Sequence, residues 1–362
     1  MSGTAERRVL IVKLGAIGDV IMAIPAVYAL HREGYAVDWV CSKSVAGILR
    51  LYRWVNVIEA DEQALLRGGP GQRARALASL WKALAGRSYE LCATLYYDQR
   101  YSMLTWPVRA KRKIRLNWSD RTLSVLQGRH YTDEYARILL KLPDTERPQQ
   151  IAPLKAEGLG APAIPRTAGS TRIAIVPGGA KNVMRDNPLR RWPVEQYAAI
   201  AAELRRRGYE VVLIGGPEDT WVVESFNGLD VVDAIGKYSL RETLALLDSA
   251  DVTVTHDTGP LHLAGITSTA IVSIFGPTRP DSFMPQRENC VGLWGGAGFA
   301  CRPCYDGRDF APCTNNGCVQ QINMEMVLVE VERMIEARHS GTLLPPRVVV
   351  PQHTPLVTLE NA

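Results

Sequence analysis

Residues 252–266 read VTVTHDTGPLHLAGI. Residues 252–255 are a β-branched run of the kind a buried strand favours, and 260–266 carry the apolar spacing of a helix. Between them His256-Asp257-Thr258-Gly259 leaves room only for a tight turn. A strand that turns directly into a helix belongs to the strand–helix alternation of parallel sheets covered by helices. The first N–H groups of such a helix lack intrahelical partners, and its dipole adds roughly half a positive charge there. The turn therefore suits a pyrophosphate. A plain N-cap by Asp257 or Thr258 is the structural alternative, and the two are compatible.

The same pattern extends on both sides. Strand-like runs at 172–176, 210–214 and 270–275 end in Pro177-Gly178-Gly179, Gly215-Gly216-Pro217 and Gly276-Pro277. Ligands of open α/β sheets bind at the carboxyl ends of strands, and glycine there lets backbone N–H groups approach a phosphate. Helical patterns cover 192–207, stopped by Gly208, then 240–249 and 324–338. Lys181, Arg185, Arg190 and Arg191 lie between the first glycine turn and Trp192-Pro193, where cations can neutralise phosphate charge. No Walker pattern is present, which argues against a P-loop nucleotidase.

The first half repeats the alternation. A strand at 9–12 ends at Lys13-Leu14-Gly15 and a helical pattern runs from Asp19 to Leu30, with further strands at 37–41, 55–59 and 91–95. The loop Lys13-Leu14-Gly15-Ala16-Ile17-Gly18-Asp19 offers G-x-x-G rather than a dinucleotide fingerprint. Asp19 at a helix start can act as a general base or simply cap the helix. Prolines and weak periodicity across 143–169 mark a linker. The expected fold class is α/β, with two Rossmann-like domains at 1–165 and 170–340 facing across a cleft. A Pro-rich tail at 341–362 is expected to be disordered or loosely docked.

Composition agrees. The chain has 362 residues, 46% hydrophobic and 22% charged, enough for two domains at ~150 residues each. Collagen-like, coiled-coil and wholly disordered chains are excluded. The longest apolar stretch, from Val20 to Leu30, has 11 residues, against ~20 for a spanning helix. The N-terminal apolar run reads as a first strand rather than a signal peptide, so a cytoplasmic protein is expected. Residues 1–150 carry 23 Lys and Arg against 14 Asp and Glu, an excess of +9, while 151–362 carry 19 against 23, a balance of −4. A basic half beside an acidic half suggests an anionic partner for the first domain: nucleic acid, a lipid surface or an acidic small substrate. A merely solvated basic surface accounts for the same numbers.

Four motifs in order resemble those of the heptosyltransferase-like glycosyltransferases of bacterial lipopolysaccharide synthesis, glycosyltransferase family 9. They are Ile11-Val12-Lys13 with Gly18-Asp19-Val20 and Pro25-Ala26; Pro177-Gly178-Gly179-Ala180 with Arg190-Arg191-Trp192-Pro193; Gly215-Gly216-Pro217-Glu218; and Asp257-Thr258-Gly259-Pro260-Leu261-His262-Leu263. The resemblance spans roughly 9–335. It implies a GT-B fold with the donor on the C-terminal domain and the acceptor on the N-terminal one, and inverting transfer of a heptose-like sugar from an ADP-sugar without a metal. By the same resemblance Asp19 is the base that deprotonates the acceptor. Arg190 stands where the family usually has a lysine on the donor phosphates. Lys181, Gly178, Gly179, Asp257, Thr258, Gly259 and His262 complete the donor site, with Glu218 on the ribose unless Asp219 takes that role.

The implied acceptor is an anionic, Kdo-bearing glycolipid. No nucleic acid or obligate protein partner is expected, and contact with the inner face of the cytoplasmic membrane would be peripheral. Arg109, Lys111, Arg112, Lys113 and Arg115 form a dense basic run beside Trp106 and Trp118. With Arg100 they are the expected acceptor or membrane contacts, an exposed basic loop being the alternative. Departures from the family pattern fall at 95–100 and 182–187, where acceptor and sugar are chosen. Cys301, Cys304, Cys313 and Cys318 lie within 18 residues. They could hold structural zinc or remain reduced thiols in a loop at the domain interface. A nucleotide-sugar epimerase of the same fold and a non-catalytic sugar-nucleotide or lipid binder are the rival readings.

Overall fold

The computed structural model describes residues 7–146, 151–181 and 186–351. The first sheet contains β1 (Arg8–Val12), β2 (Ala36–Ser42), β3 (Val55–Ala60), β4 (Ser88–Thr94) and β5 (Arg109–Arg115), in the order β3-β2-β1-β4-β5. The second contains β6 (Arg172–Ile175), β7 (Glu210–Leu213), β8 (Val232–Asp233), β9 (Val252–His256), β10 (Ala270–Phe275), β11 (Cys290–Trp294) and β12 (Arg347–Val349). Its order is β12-β11-β10-β9-β6-β7-β8. Every pairing in both sheets is parallel. In each sheet the chain order reverses beside the first strand, between β1 and β4 and between β6 and β9. Crevices at such switch points are where doubly wound sheets bind ligands, and the loops after β1, β6 and β9 open there.

Central strands of parallel sheets are buried on both faces and read as continuous apolar runs. Val9, Leu10, Ile11 and Val12 are all fully buried. The helix Ile17–Arg32 is covered along most of its length, from Val20 to Val27, because it lies between its own sheet and the second domain. One apolar cluster runs unbroken from Val9 and Trp39 through Val20 and Ile24 to Leu261, Ala264 and Val212. A second packs Tyr197, Leu204, Val327, Val331 and Met334 around Ile173, Val254 and Val272. The domains are thus joined through packed side chains.

Polar contacts pin the same interface. The Ala156 N–H donates to the Ile266 carbonyl at 2.9 Å. His130 Nε2 lies 3.1 Å from the Met284 carbonyl, while its Nδ1 accepts the Thr132 N–H at 3.2 Å. This arrangement requires the neutral ring protonated at Nε2. Burial pushes the His130 pKa down to about 3, keeping that tautomer across the neutral range.

Four strands depart from the sequence pattern, one of them the two-residue β8 beside β7, to which no apolar run points. The basic run is neither a loop nor a uniform patch: residues 109–115 are β5, an edge strand paired with β4. Its exposed cations Arg109, Lys111 and Lys113 alternate with the half-buried Ala110, Arg112 and Ile114, and charges on an edge discourage pairing with another chain. Cys290–Trp294 forms β11, a strand that the sequence pattern does not announce. Arg347–Val349, inside the stretch expected to be a tail, adds β12 to the second sheet. Residues 352–362, the rest of that tail, lie outside the described residues. Among the described residues no helix is long and apolar enough to cross a membrane.

Candidate functional site

The loop after β1 is held from beneath. Lys13 ends the buried strand, and its ammonium lies 3.0 Å from the Asp19 carboxylate, 3.1 Å from the Leu95 carbonyl and 4.3 Å from the Tyr96 ring centre. The Tyr96 hydroxyl accepts the Leu14 and Gly15 N–H groups at 2.8 and 3.0 Å, and Tyr101 stacks on its ring at 3.8 Å. Asp19 does not cap its helix. Ala16 occupies the cap position with no side-chain cap bond, and Asp19 sits in the first turn, where the helix dipole favours a carboxylate. Its side chain is 38% exposed while that of Lys13 is 5% exposed. A buried cation thus anchors a carboxylate that remains open to solvent. The sequence motifs assign Lys13 no role of its own, although a lysine directly after an apolar strand needs a counter-charge nearby.

On the second domain the glycine turns are tied together by side chains. Asp219 is buried and accepts the Gly179 N–H at 2.7 Å and the Gly216 N–H at 2.8 Å. The Thr258 hydroxyl accepts the Ala180 N–H at 2.8 Å. The Gly179 amide, expected to face a phosphate, is therefore engaged by Asp219. Gly179 has φ +95, and a Cβ there would overlap the Thr258 hydroxyl, so only glycine suits the turn. Asp219 and Glu218 divide their roles. Asp219 ties loops, whereas Glu218 has a side chain 67% exposed and pairs with Lys181.

Asp257 faces Arg190 at 3.1 Å and accepts the Thr278 hydroxyl at 2.7 Å. Burial alone would raise its pKa; Arg190 and Thr278 outweigh that and hold it below the usual carboxylate range. Neither Asp257 nor Thr258 caps the helix Gly259–Gly265, since Thr258 occupies the cap position without a side-chain cap bond. The alternative of a plain capping role is therefore not what these side chains do.

The two halves meet at these helix starts. A Cβ on Gly18 would overlap the His262 imidazole, and one on Gly259 would lie 3.4 Å from Ile17 Cβ. Alanine at position 18 would suit the helix better by ~0.8–1 kcal/mol, so the contact with His262 explains the glycine. Burial lowers the His262 pKa, partly opposed by Asp257 and Asp19. Asp19, His262, Asp257 and Arg190 thus form one electrostatically linked group across the domain boundary.

Other expected residues lie elsewhere. β5 pairs Arg109 with Ser88 and Arg115 with Thr94, so Arg109 stands at the amino end of the strand, ~20 Å from its carboxyl end. Lys111 pairs with Glu90 at 2.7 Å, Arg112 donates to the Leu139 carbonyl at 3.2 Å and Lys113 to the Thr105 carbonyl at 3.2 Å. Arg115, which donates to the Tyr97 carbonyl, is the member of the run at the carboxyl end. Arg100 is exposed and pairs with Asp98 at 2.6 Å. Arg185 lies outside the described residues.

The cysteines do not form the zinc arrangement. Among the described residues no three or more His, Cys, Asp or Glu are grouped to hold a metal. Cys301 and Cys313 are exposed free thiols, and Cys304 and Cys318 are half-buried ones. Cys318 packs against the Gly276 turn, where a Cβ would lie 2.8 Å from its sulfur. Burial, then the neighbouring thiols, raises its pKa to about 11.

Comparison with known proteins agrees with the fold. Lipopolysaccharide heptosyltransferase 3 of Escherichia coli is 30% identical over 159 residues, which is 42% of this chain and 45% of that protein. The match thus spans under half the length of that relative. Lipopolysaccharide core heptosyltransferase OpsX of Haemophilus influenzae is 22% identical over 318 residues, 80% of this chain and 85% of that protein. The solved ADP-heptose lps heptosyltransferase II of E. coli superposes with a TM-score of 0.69 at 17% identity, covering 92% of this chain and 99% of that one. The model of glycosyltransferase family 9 (heptosyltransferase) matches residues 77–313, and the chain belongs to that family.

Proposed function

We propose that this enzyme transfers a heptose-like sugar from an ADP-linked donor to the core of a lipopolysaccharide or a related anionic glycan, with inversion and without a metal. The observation that carries this reading is the meeting of Gly18 with His262, which sets the Lys13–Asp19 pair against the Asp257–Arg190 pair. In a single displacement Asp19 accepts the proton of the acceptor hydroxyl while that oxygen attacks the anomeric carbon. The bond to the diphosphate breaks with its electrons on the leaving ADP. Arg190 and Lys181, aided by the Thr258 and Gly259 amides, offset the charge that develops there. Gly178 and Gly179 make room for Asp219 and Thr258 in the turn against which the diphosphate would lie, and Glu218 accepts from the ribose. Entry of the nucleophile opposite the leaving group inverts the centre. The ADP assignment is supported by the E. coli relative named for ADP-heptose.

For the acceptor, Arg100 and Arg115 flank the carboxyl end of the first sheet, where its anionic sugars would lie. Lys113 and the exposed Trp106 and Met103 would face the bilayer that carries the lipid, giving a cytoplasmic enzyme in peripheral contact with the membrane. Arg109, Lys111 and Arg112 are assigned only to the general positive field of this face.

Calorimetric titration with ADP, UDP and GDP tests the donor assignment. Selective ADP binding is expected, weakened about tenfold in His262→Ala, the loss of one well-placed polar contact. A preference for UDP would redirect the reading to another sugar donor or to an epimerase. Binding of none would favour a non-catalytic relative.

A further inference from the structure

The segment Pro217–Phe226 after the Gly215-Gly216 turn is a 3-10 helix. Side chains three apart eclipse in such a helix, so Glu218 and Trp221 share one face, while Asp219, Val222 and Phe226 are buried on the other. Trp221 is 51% exposed, whereas Trp39 and Trp192 are 0% and 1% exposed and their indole N–H groups donate to backbone carbonyls. The Arg191 guanidinium lies 5.5 Å from the Trp221 ring centre and donates to the Gly179 carbonyl at 2.9 Å. Arg191 also pairs with Asp186, and Lys181 reaches Glu218. A large aromatic surface thus stands in water beside the exposed carboxylate, backed by an arginine that is fixed to the glycine turn.

From this arrangement we infer that Trp221 is the specificity-determining residue for the donor nucleobase, its free ring face stacking on the purine. The inference rests on the donor reading above, in which Glu218 takes the ribose. The base attached to that ribose must leave it on one side, and the neighbouring residue on the same helix face is Trp221. Aromatic side chains stack on any base through its π face, and a two-ring purine offers more area than a pyrimidine. Arg191 on the ring adds a cation–π contact that fixes the indole. Selection of purine over pyrimidine would thus come from stacking, with the diphosphate held independently by Arg190 and the helix start.

The test is calorimetric titration of the wild type, Trp221→Ala and Trp221→Phe with ADP, UDP and inorganic pyrophosphate. Trp221→Ala is expected to weaken ADP by about tenfold or more, as loss of a base-stacking aromatic does. Its ADP-over-UDP preference should shrink, and its pyrophosphate affinity should stay within about twofold, because the phosphate contacts are untouched. Trp221→Phe, which keeps a ring, should remain within about threefold of wild type. Unchanged ADP affinity in Trp221→Ala, or an equal loss of pyrophosphate, would overturn the assignment while leaving the donor site standing. A folded wild type that binds no nucleoside diphosphate would overturn the donor reading and this inference together.

Discussion

Asp19→Asn is expected to lower the transfer rate by about 10²–10⁴-fold, the usual contribution of a positioned general base. The substitution keeps the shape of the side chain but removes its capacity to take a proton. It also leaves the Lys13 ammonium, 5% exposed, with the Leu95 carbonyl, the Tyr96 and Tyr135 rings and the more distant Glu62 carboxylate around it. Donor binding should hardly change, because Asp257, Arg190 and the glycine turns belong to the other domain. The check is kcat from acceptor-dependent ADP release, with ADP affinity measured alongside. A variant within about threefold of wild-type kcat would remove Asp19 from the chemistry, since even weak general bases contribute ~10².

Arg190→Ala should damage both stability and donor binding. It leaves the Asp257 carboxylate, whose side chain is 3% exposed, without its counter-charge and with the Thr278 hydroxyl as its hydrogen-bond donor and His262 nearby. Removing one member of a buried ion pair costs about 3–5 kcal/mol, and Arg190, partly exposed to solvent, belongs near the lower end. A loss of ~3 kcal/mol lowers the Tm of a domain this size by roughly 6–12 °C. The double variant Arg190→Ala/Asp257→Asn separates the two effects. It should recover part of the Tm, because the stranded charge is gone, yet still bind ADP poorly. Recovery of binding together with stability would show that Arg190 serves only to neutralise Asp257. Arg190→Lys should be intermediate, since a point charge replaces a rigid fork.

Much of the fold is legible in the sequence, for definite reasons. Residues 240–249 carried apolar spacing behind Ser239, which forms a capping box with Glu242, so the helix ends coincide with the pattern. The strands ending at Pro177, Gly215 and Gly276 were visible because apolar runs stop abruptly at glycine. β5 was hidden because its alternating positions are mostly cationic, which masks the period of two. β12 was hidden by the prolines around a three-residue run. The site was legible as a set of positions but not as a set of bonds. Nothing in residues 177–180 tells that Asp219 and Thr258 occupy the Gly179 and Ala180 amides, because those partners arrive from distant turns. The meeting of Gly18 with His262 depends on how two domains dock, which local pattern does not encode.

Every assignment of a site residue above depends on acceptor-dependent heptosyl transfer. The direct measurement is to incubate the wild-type protein with ADP-heptose, with and without a lipopolysaccharide core acceptor lacking that heptose, and to follow ADP release and the mass of the glycolipid. ADP is expected only when acceptor is present, matched by a glycolipid heavier by one heptose unit. Donor converted to an isomeric nucleotide sugar without acceptor, or bound with no turnover under either condition, would contradict it.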